Sequence, residues 1–418
     1  MQVIKIATAG SVDDGKSTLI GRLLYDTQSL TDDKLAAIEK SSAQKGYDYL
    51  DFSLATDGLV AERAQGITID VAHIYFSTQK RSYIIADTPG HIEYTRNMVT
   101  GASTAQVAIV LIDARKGVVE QTYRHFFISN LLRVKEVIVA VNKMDLVDYS
   151  ETVFDEIVAD FKKLNAKSSF QEQKITFVPV SALKGENVVA PSNEMSWYKG
   201  ASILSYLESL SPKEVTTSAQ VRFPVQSVIR PKTEAYHDFR GYAGKVYGGA
   251  LQVGESVTVL PSNTQSTIKE IHFFDHTYEQ ANAGDAVTIT LNDDVNITRG
   301  DILVKSNEIP KVAKSITAKV CWMDQKPLQI GGKYVVQHHT NKVLAKIKEV
   351  GSVIATDFSD VEKNTTSGQL QLNEIGEVSL QLSKPLYFDT YEENKENGAF
   401  IVVDTQTNTT AGVGFITA

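Results

Sequence analysis

A single cysteine, Cys321, and two tryptophans stand in 418 residues. One thiol excludes an internal disulfide and any multi-cysteine metal site, and it fits a reducing compartment. No apolar run approaches the roughly 20 residues that cross a bilayer as a helix, so no membrane association is expected. Met1 to Lys5 leads straight into an apolar, strand-like segment with no basic stretch before it. No signal peptide is therefore expected, and the cytoplasm is the expected location. Charge of one sign is not concentrated either. The chain carries 42 Lys and Arg against 50 Asp and Glu, a net charge of −8, and residues 1–212 and 213–418 carry −4 each. Neither half has the basic balance of a nucleic-acid footprint, so no nucleic-acid partner is expected. Low-complexity tracts and internal repeats are also missing.

What is present is ordinary globular material, 42% hydrophobic and 22% charged, long enough for about two to four domains. In the first half, short continuous apolar runs recur at Val3–Ala9, Ser82–Ala86, Val107–Ile112, Val137–Val141 and Thr176–Val180. Continuous rather than alternating hydrophobicity predicts strands covered on both faces, and the longer segments between them have room for helices. Thr152–Leu164, with Val153, Ile157 and Phe161 spaced by four, is one predicted helix, and Gln121–Leu132 is another. Alternating strand and helix implies a mostly parallel sheet with helices on both faces.

The pattern changes near Pro212. Of 10 prolines, 7 stand from that residue onward, and Ser211–Gln220 reads as a polar linker. Beyond it, short β-branched runs such as Glu255–Leu260 and Ala286–Leu291 are broken by Pro, Gly and Asn. Those signals predict antiparallel sandwiches or barrels, two of them in about 200 residues, with Asn307–Lys311 as the divider.

The strongest local signal is Gly10-Ser11-Val12-Asp13-Asp14-Gly15-Lys16-Ser17. It fits G-x-x-x-x-G-K-[ST] and lies between an apolar strand and the helix-like run from Thr18. In that context backbone amides and a helix N-terminus cradle phosphates, Lys16 reaches the terminal phosphates and the Ser17 hydroxyl ligates Mg²⁺. Asp87-Thr88-Pro89-Gly90-His91 follows a second strand. There a carboxylate can hold Mg²⁺ and a glycine amide can meet a γ-phosphate. Asn142-Lys143-Met144-Asp145 follows a third strand, and its carboxylate can accept two hydrogen bonds from the guanine edge but meets repulsion on adenine. Ser181-Ala182-Leu183, at a fourth strand end, can close over the base through backbone N–H.

The order of these motifs, with Glu62–Asp70 (ERAQGITID) between the first two, resembles the translation-factor class of GTPases, in which a GTP-binding domain is followed by two β-barrels. That likeness implies domains at 1–212, 213–309 and 310–418. Within the class, Asp13–Asp26, Ile69–Ala72, Tyr75–Thr78, Tyr94–Ala105, Trp322–Leu328 and Gln337–Thr340 are similar to the large GTPase subunit of bacterial sulfate adenylyltransferases. Asp14 and Ser17 stand where elongation factor Tu typically has His and Thr. The resemblance implies GTP and Mg²⁺ as cofactors, with Gly10–Thr18 as the phosphate loop and Thr68 as the switch threonine that completes the Mg²⁺ shell beside Ser17 and Asp87. It makes Gly90 the γ-phosphate sensor and His91 the residue that orients water, gated by Val12 and Ile67. It also implies a smaller catalytic subunit as partner, in a heterodimer or higher assembly, which joins ATP and sulfate into adenosine 5′-phosphosulfate and pyrophosphate. The alternative is a translation GTPase that delivers aminoacyl-tRNA. Ala64-Gln65 departs from the Glu-Arg or Glu-Gln of many relatives, in a loop that meets partners.

Other features have plainer readings. His272 and His276 lack a third ligand nearby and are expected to be rim residues rather than a metal site. His338 and His339 would point to opposite faces if both lie on a strand, so joint ligation of a metal is not expected. Cys321 reads as a small buried hydrophobe, and Tyr391–Glu396 as a solvated turn.

Overall fold

The computed structural model describes residues 3–44, 46–47, 49–55, 71–90, 95–166, 168, 170, 172–210, 220–231, 239–274, 276–354 and 368–418. They divide into two compact units, one up to residue 210 and one from residue 220.

The first unit alternates strand and helix: β1 (Val3–Ala9), α1 (Lys16–Asp26), α2 (Asp32–Gln44), β2 (Ala72–Ser77), β3 (Ser82–Asp87), α3 (Thr95–Ala102), β4 (Val107–Asp113), α4 (Glu120–Leu131), β5 (Glu136–Asn142), α5 (Glu151–Asn165), β6 (Lys174–Pro179) and α6 (Ile203–Ser209). The sheet order is β2-β3-β1-β4-β5-β6. β1, β3, β4, β5 and β6 run parallel, and β2 is antiparallel to β3. Every residue of β4 is buried, as a strand covered on both faces requires.

The helices cover the two faces separately. Leu19, Ile20 and Leu23 of α1 and Ile203 and Leu207 of α6 join the core formed by Ile6, Ile109, Ile138 and Val178. Phe177, pointing the other way from Val178, meets Phe161 of α5 at 5.6 Å, and Phe161 meets Phe126 of α4 at 4.9 Å. The buried stripe of α5 is Phe154, Ile157, Phe161 and Leu164. The spacing by four from Val153 therefore misplaced one residue, because Phe154 takes the inward position and packs against Trp197, with ring centroids 5.4 Å apart and the planes tilted.

The second unit is all β. Its strands of four or more residues are β7 (Phe223–Ile229), β8 (Gly241–Lys245), β9 (Ser256–Leu260), β10 (Thr264–Phe273), β11 (Ala286–Leu291) and β12 (Ile302–Lys305), then β13 (Lys311–Trp322), β14 (Lys333–His338), β15 (Asn341–Val353), β16 (Ile375–Phe388), β17 (Ala399–Asp404) and β18 (Thr410–Ile416). Antiparallel pairings close the first six into a ring, β9-β10-β11-β8-β7-β12 and back to β9. The last six form a closed barrel in the order β13-β16-β15-β14-β17-β18. Closure removes free sheet edges. Each ring has its own apolar core, around Phe223, Tyr242 and Ile289 in one and Ile316, Trp322 and Leu380 in the other. Cys321 is buried in the second barrel, where burial pushes its thiol pKa up to about 12 and leaves it unreactive.

Candidate nucleotide-binding site

The site forms where parallel strands end side by side. β1 delivers Gly10–Ser17, and the chain turns through left-handed backbone at Asp13 (φ 66°) and Gly15 (φ 93°) before α1 begins at Lys16. Such turns aim successive amides into one concavity, and the first turn of a helix adds unpaired N–H groups and a positive dipole end. Glycine keeps the concavity open. A methyl group at Gly15 would overlap Asn142 Nδ2, and one at Gly90 would overlap the Gly10 carbonyl and come within 2.6 Å of Lys16 Nζ.

Lys16 is buried and donates to Gly10 O at 2.7 Å and Ser11 O at 3.2 Å. Both acceptors are neutral. Burial depresses its pKa, and Asp87, Asp14 and Asp13 oppose that only in part. A buried ammonium without a close anion is costly to hold and gains much from one. Ser11 Oγ is buried with no hydrogen-bond partner among the described residues. An orphan hydroxyl, a poorly compensated cation and a glycine-lined hollow fit the phosphates of a nucleotide. Val12, Ser17 and Thr18 are half-buried at the same turn.

At the end of β3, buried Asp87 accepts from Thr8 Oγ1 at 3.1 Å, and Thr88 Oγ1 donates to Thr8 O at 2.5 Å. Pro89 and Gly90 are buried behind them. Among the described residues, no group of three His, Cys, Asp or Glu side chains is placed to hold a metal ion. A Mg²⁺ that takes most of its ligands from phosphate and water needs only one or two protein oxygens, which Ser17 and Asp87 fit. Thr68, Ile67 and His91 lie outside the described residues.

At the end of β5, Asn142 ties the site together. Its Nδ2 donates to Asp14 O at 2.8 Å, and its Oδ1 accepts from the Ala182 N–H at 3.0 Å. Lys143 (φ 62°) donates to Asp13 O and pairs with Asp113 at 2.9 Å. Asp145 Oδ1 accepts from Ser181 Oγ at 2.6 Å, and no other hydrogen bond reaches its carboxylate among the described residues. Met144 is buried, and Leu183 O accepts from Arg22 Nη1 at 3.4 Å. The structure thus brings the first, third and fourth sequence motifs into direct contact.

Asp113 was missed. It is buried at the end of β4 and accepts from Arg115 Nη2 at 2.6 Å as well as pairing with Lys143. Burial pushes its pKa up, but hydrogen bonds from Arg115 and Lys143 outweigh that and hold its carboxyl well below the usual carboxylate range. The signal was available: Asp113 closes an apolar run just as Asp87 does.

Elsewhere, His272 lies 3.0 Å from Glu270, and His276 is exposed. His338 and His339 do not lie on one strand, so alternation of faces does not apply to them. β14 ends at His338, His339 turns back with φ 50°, and the rings meet at 4.7 Å rather than facing apart. The turn after Tyr391 is only partly solvated, since Tyr391 and Asn394 are buried.

The model of the Elongation factor Tu GTP binding domain family matches residues 1–222, and that of the GTP-eEF1A C-terminal domain-like family matches residues 315–417. Fold and site together define a GTPase of the translation-factor class. Sulfate adenylyltransferase subunit 1 of Aliarcobacter butzleri is 46% identical over 99% of this chain and 87% of its own length, and that of Aeromonas salmonicida is 47% identical over 99% and 86%. The bifunctional enzyme CysN/CysC of Mycobacterium tuberculosis is 46% identical over 99% of this chain and 67% of its own length. The chain belongs to the sulfate adenylyltransferase subunit 1 family; its likeness to elongation factor Tu is one of fold class.

Proposed function

We propose that this chain hydrolyses GTP to drive formation of adenosine 5′-phosphosulfate and pyrophosphate from ATP and sulfate, in assembly with a smaller catalytic subunit in the cytoplasm. The observation that carries the reading is relatedness to sulfate adenylyltransferase subunit 1 along 99% of the chain. Residues 1–212 form the GTP-binding domain, and residues 213–309 and 310–418 the two barrels.

In this reading the amides of the Gly10–Thr18 loop that are not already bonded within it, together with the Lys16 ammonium, hold the phosphates. Asp145 accepts from the guanine edge while Asn142, Lys143 and Ser181-Ala182-Leu183 fix its position. Ser17, Asp87 and Thr68 hold Mg²⁺, which when bound neutralises charge on the phosphates. Gly90 senses the terminal phosphate. His91 orients the attacking water, and Val12 and Ile67 limit its access. The barrels present a surface to the partner.

Co-purification with the smaller subunit, followed by GTP-dependent pyrophosphate release from ATP and sulfate, tests this. The expected result is release that needs all three of GTP, ATP and sulfate. Aminoacyl-tRNA binding with no sulfate dependence would overturn it. His91→Ala is expected to leave GTP affinity nearly intact and slow hydrolysis on the order of a hundredfold; unchanged turnover would remove His91 from the mechanism.

A further inference from the structure

A carboxylate lies in the phosphate loop that anion binding does not require. Asp14 is 2% exposed. Its Oδ2 accepts from the Ser11 N–H at 2.6 Å, so it consumes an amide of the loop itself. Its own N–H donates to Ser11 O at 3.2 Å, and its carbonyl accepts from Asn142 Nδ2 at 2.8 Å. The residue is therefore pinned at three points, and its charge cannot swing away from the loop. The nearest ion-pair partner is Lys116, in the loop after β4, with Nζ 3.9 Å from Asp14 Oδ1 and the lysine side chain 45% exposed. A pair that long and that open to solvent compensates a buried charge incompletely. Lys16 and Asp113 are the other charged groups that act on it.

We infer that Asp14 and Lys116 together set how firmly the site holds its nucleotide: the Asp14 charge opposes the phosphates, and Lys116 weakens that opposition. The inference rests on the nucleotide reading of the site. A fixed negative charge within about 10 Å of bound phosphates raises their energy without touching them, and at an effective dielectric of about 20 the effect on affinity is at least about tenfold. The carboxylate also has a structural duty, capping the Ser11 amide. The two roles separate by substitution. Asparagine keeps the acceptor and the shape and removes only the charge, whereas alanine removes both.

The test is the release rate of mant-GDP from the full chain, measured for wild type, Asp14→Asn, Lys116→Ala and the double variant. Asp14→Asn is expected to slow release at least about tenfold. Lys116→Ala is expected to speed it several-fold, and the double variant to behave like Asp14→Asn alone, because Lys116 then has no charge to offset. A purely structural role cannot give effects of opposite sign. Release from Asp14→Asn at or above the wild-type rate overturns the inference. So does a Lys116→Ala effect of equal size in both backgrounds, which would mean that Lys116 acts on the nucleotide directly. If Asp14→Asn does not fold, Lys116→Ala decides, and an unchanged rate overturns the inference. A wild-type chain that binds no mant-GDP would instead overturn the nucleotide reading itself.

Discussion

Two buried polar clusters in this molecule are made from similar groups and finished differently. In the second unit, Arg222 is fully buried and uses all five of its N–H groups. It makes two bonds of 2.8 Å to Asp389, donates to Val221 O at 2.9 Å and Glu308 O at 2.7 Å, and reaches Gln220 Oε1. Asn397 donates to the same carboxylate at 2.8 Å and accepts from the His338 and His339 rings. In the nucleotide site, Lys16 has only neutral acceptors and Ser11 Oγ has no hydrogen bond among the described residues. A closed network holds barrels together and has no capacity left for a ligand. An open one marks where a ligand completes the set.

One substitution opens each cluster. Arg222→Ala should cost about 3–5 kcal/mol, because it leaves the Asp389 carboxylate buried and unpaired. Denaturant unfolding should show the loss in the second unit, with mant-GDP affinity unchanged; a loss under about 1 kcal/mol would mean that the pair is not desolvated as described. Lys16→Ala should do the reverse. It should weaken GTP at least about a hundredfold by calorimetry, yet leave the stability of the ligand-free chain equal or higher, since a buried cation is removed. Ligand-free destabilisation like that of Arg222→Ala would erase the distinction.

The smallest effect concerns His339, at the barrel junction. Burial, aided by His338, lowers its pKa to about 3 against the opposing bond to Asn397. The unfolded chain takes up a proton below its pKa of about 6.5 while the folded chain does not. Stability is therefore full above that pH and falls as pH drops below it, by up to about 1.4 kcal/mol per unit. Between pH 6.5 and 5, urea midpoints of the second unit should fall, and His339→Gln should flatten the slope. An unchanged slope would place the titration elsewhere.

The nucleotide site was more legible in the sequence than the barrel junction. Gly15, Lys16, Asp145 and their spacing follow from what phosphates and guanine demand, and a ligand imposes the same demand on any chain that binds it. The strand ends followed from continuous apolar runs, and Asp113 at one of them could have been read by the same rule. Nothing local announces Arg222 and Asp389 as partners. They are 167 residues apart, and each alone is an ordinary charged residue in a β-rich stretch. The His338–His339 contact was invisible for another reason: alternation holds only while the strand continues, and it ends between them. Asp14 was visible as a departure from elongation factor Tu, but its burial and its bond to Ser11 come only from the folded loop.

Guanine nucleotide bound at this site is proposed to drive sulfate activation. Asp145→Asn tests it, since asparagine turns an acceptor into a donor and matches xanthine in place of guanine. In the complex with the smaller subunit, sulfate-dependent pyrophosphate release from ATP should be supported by xanthosine triphosphate and no longer by GTP. Release that still follows GTP and ignores xanthosine triphosphate would contradict the account.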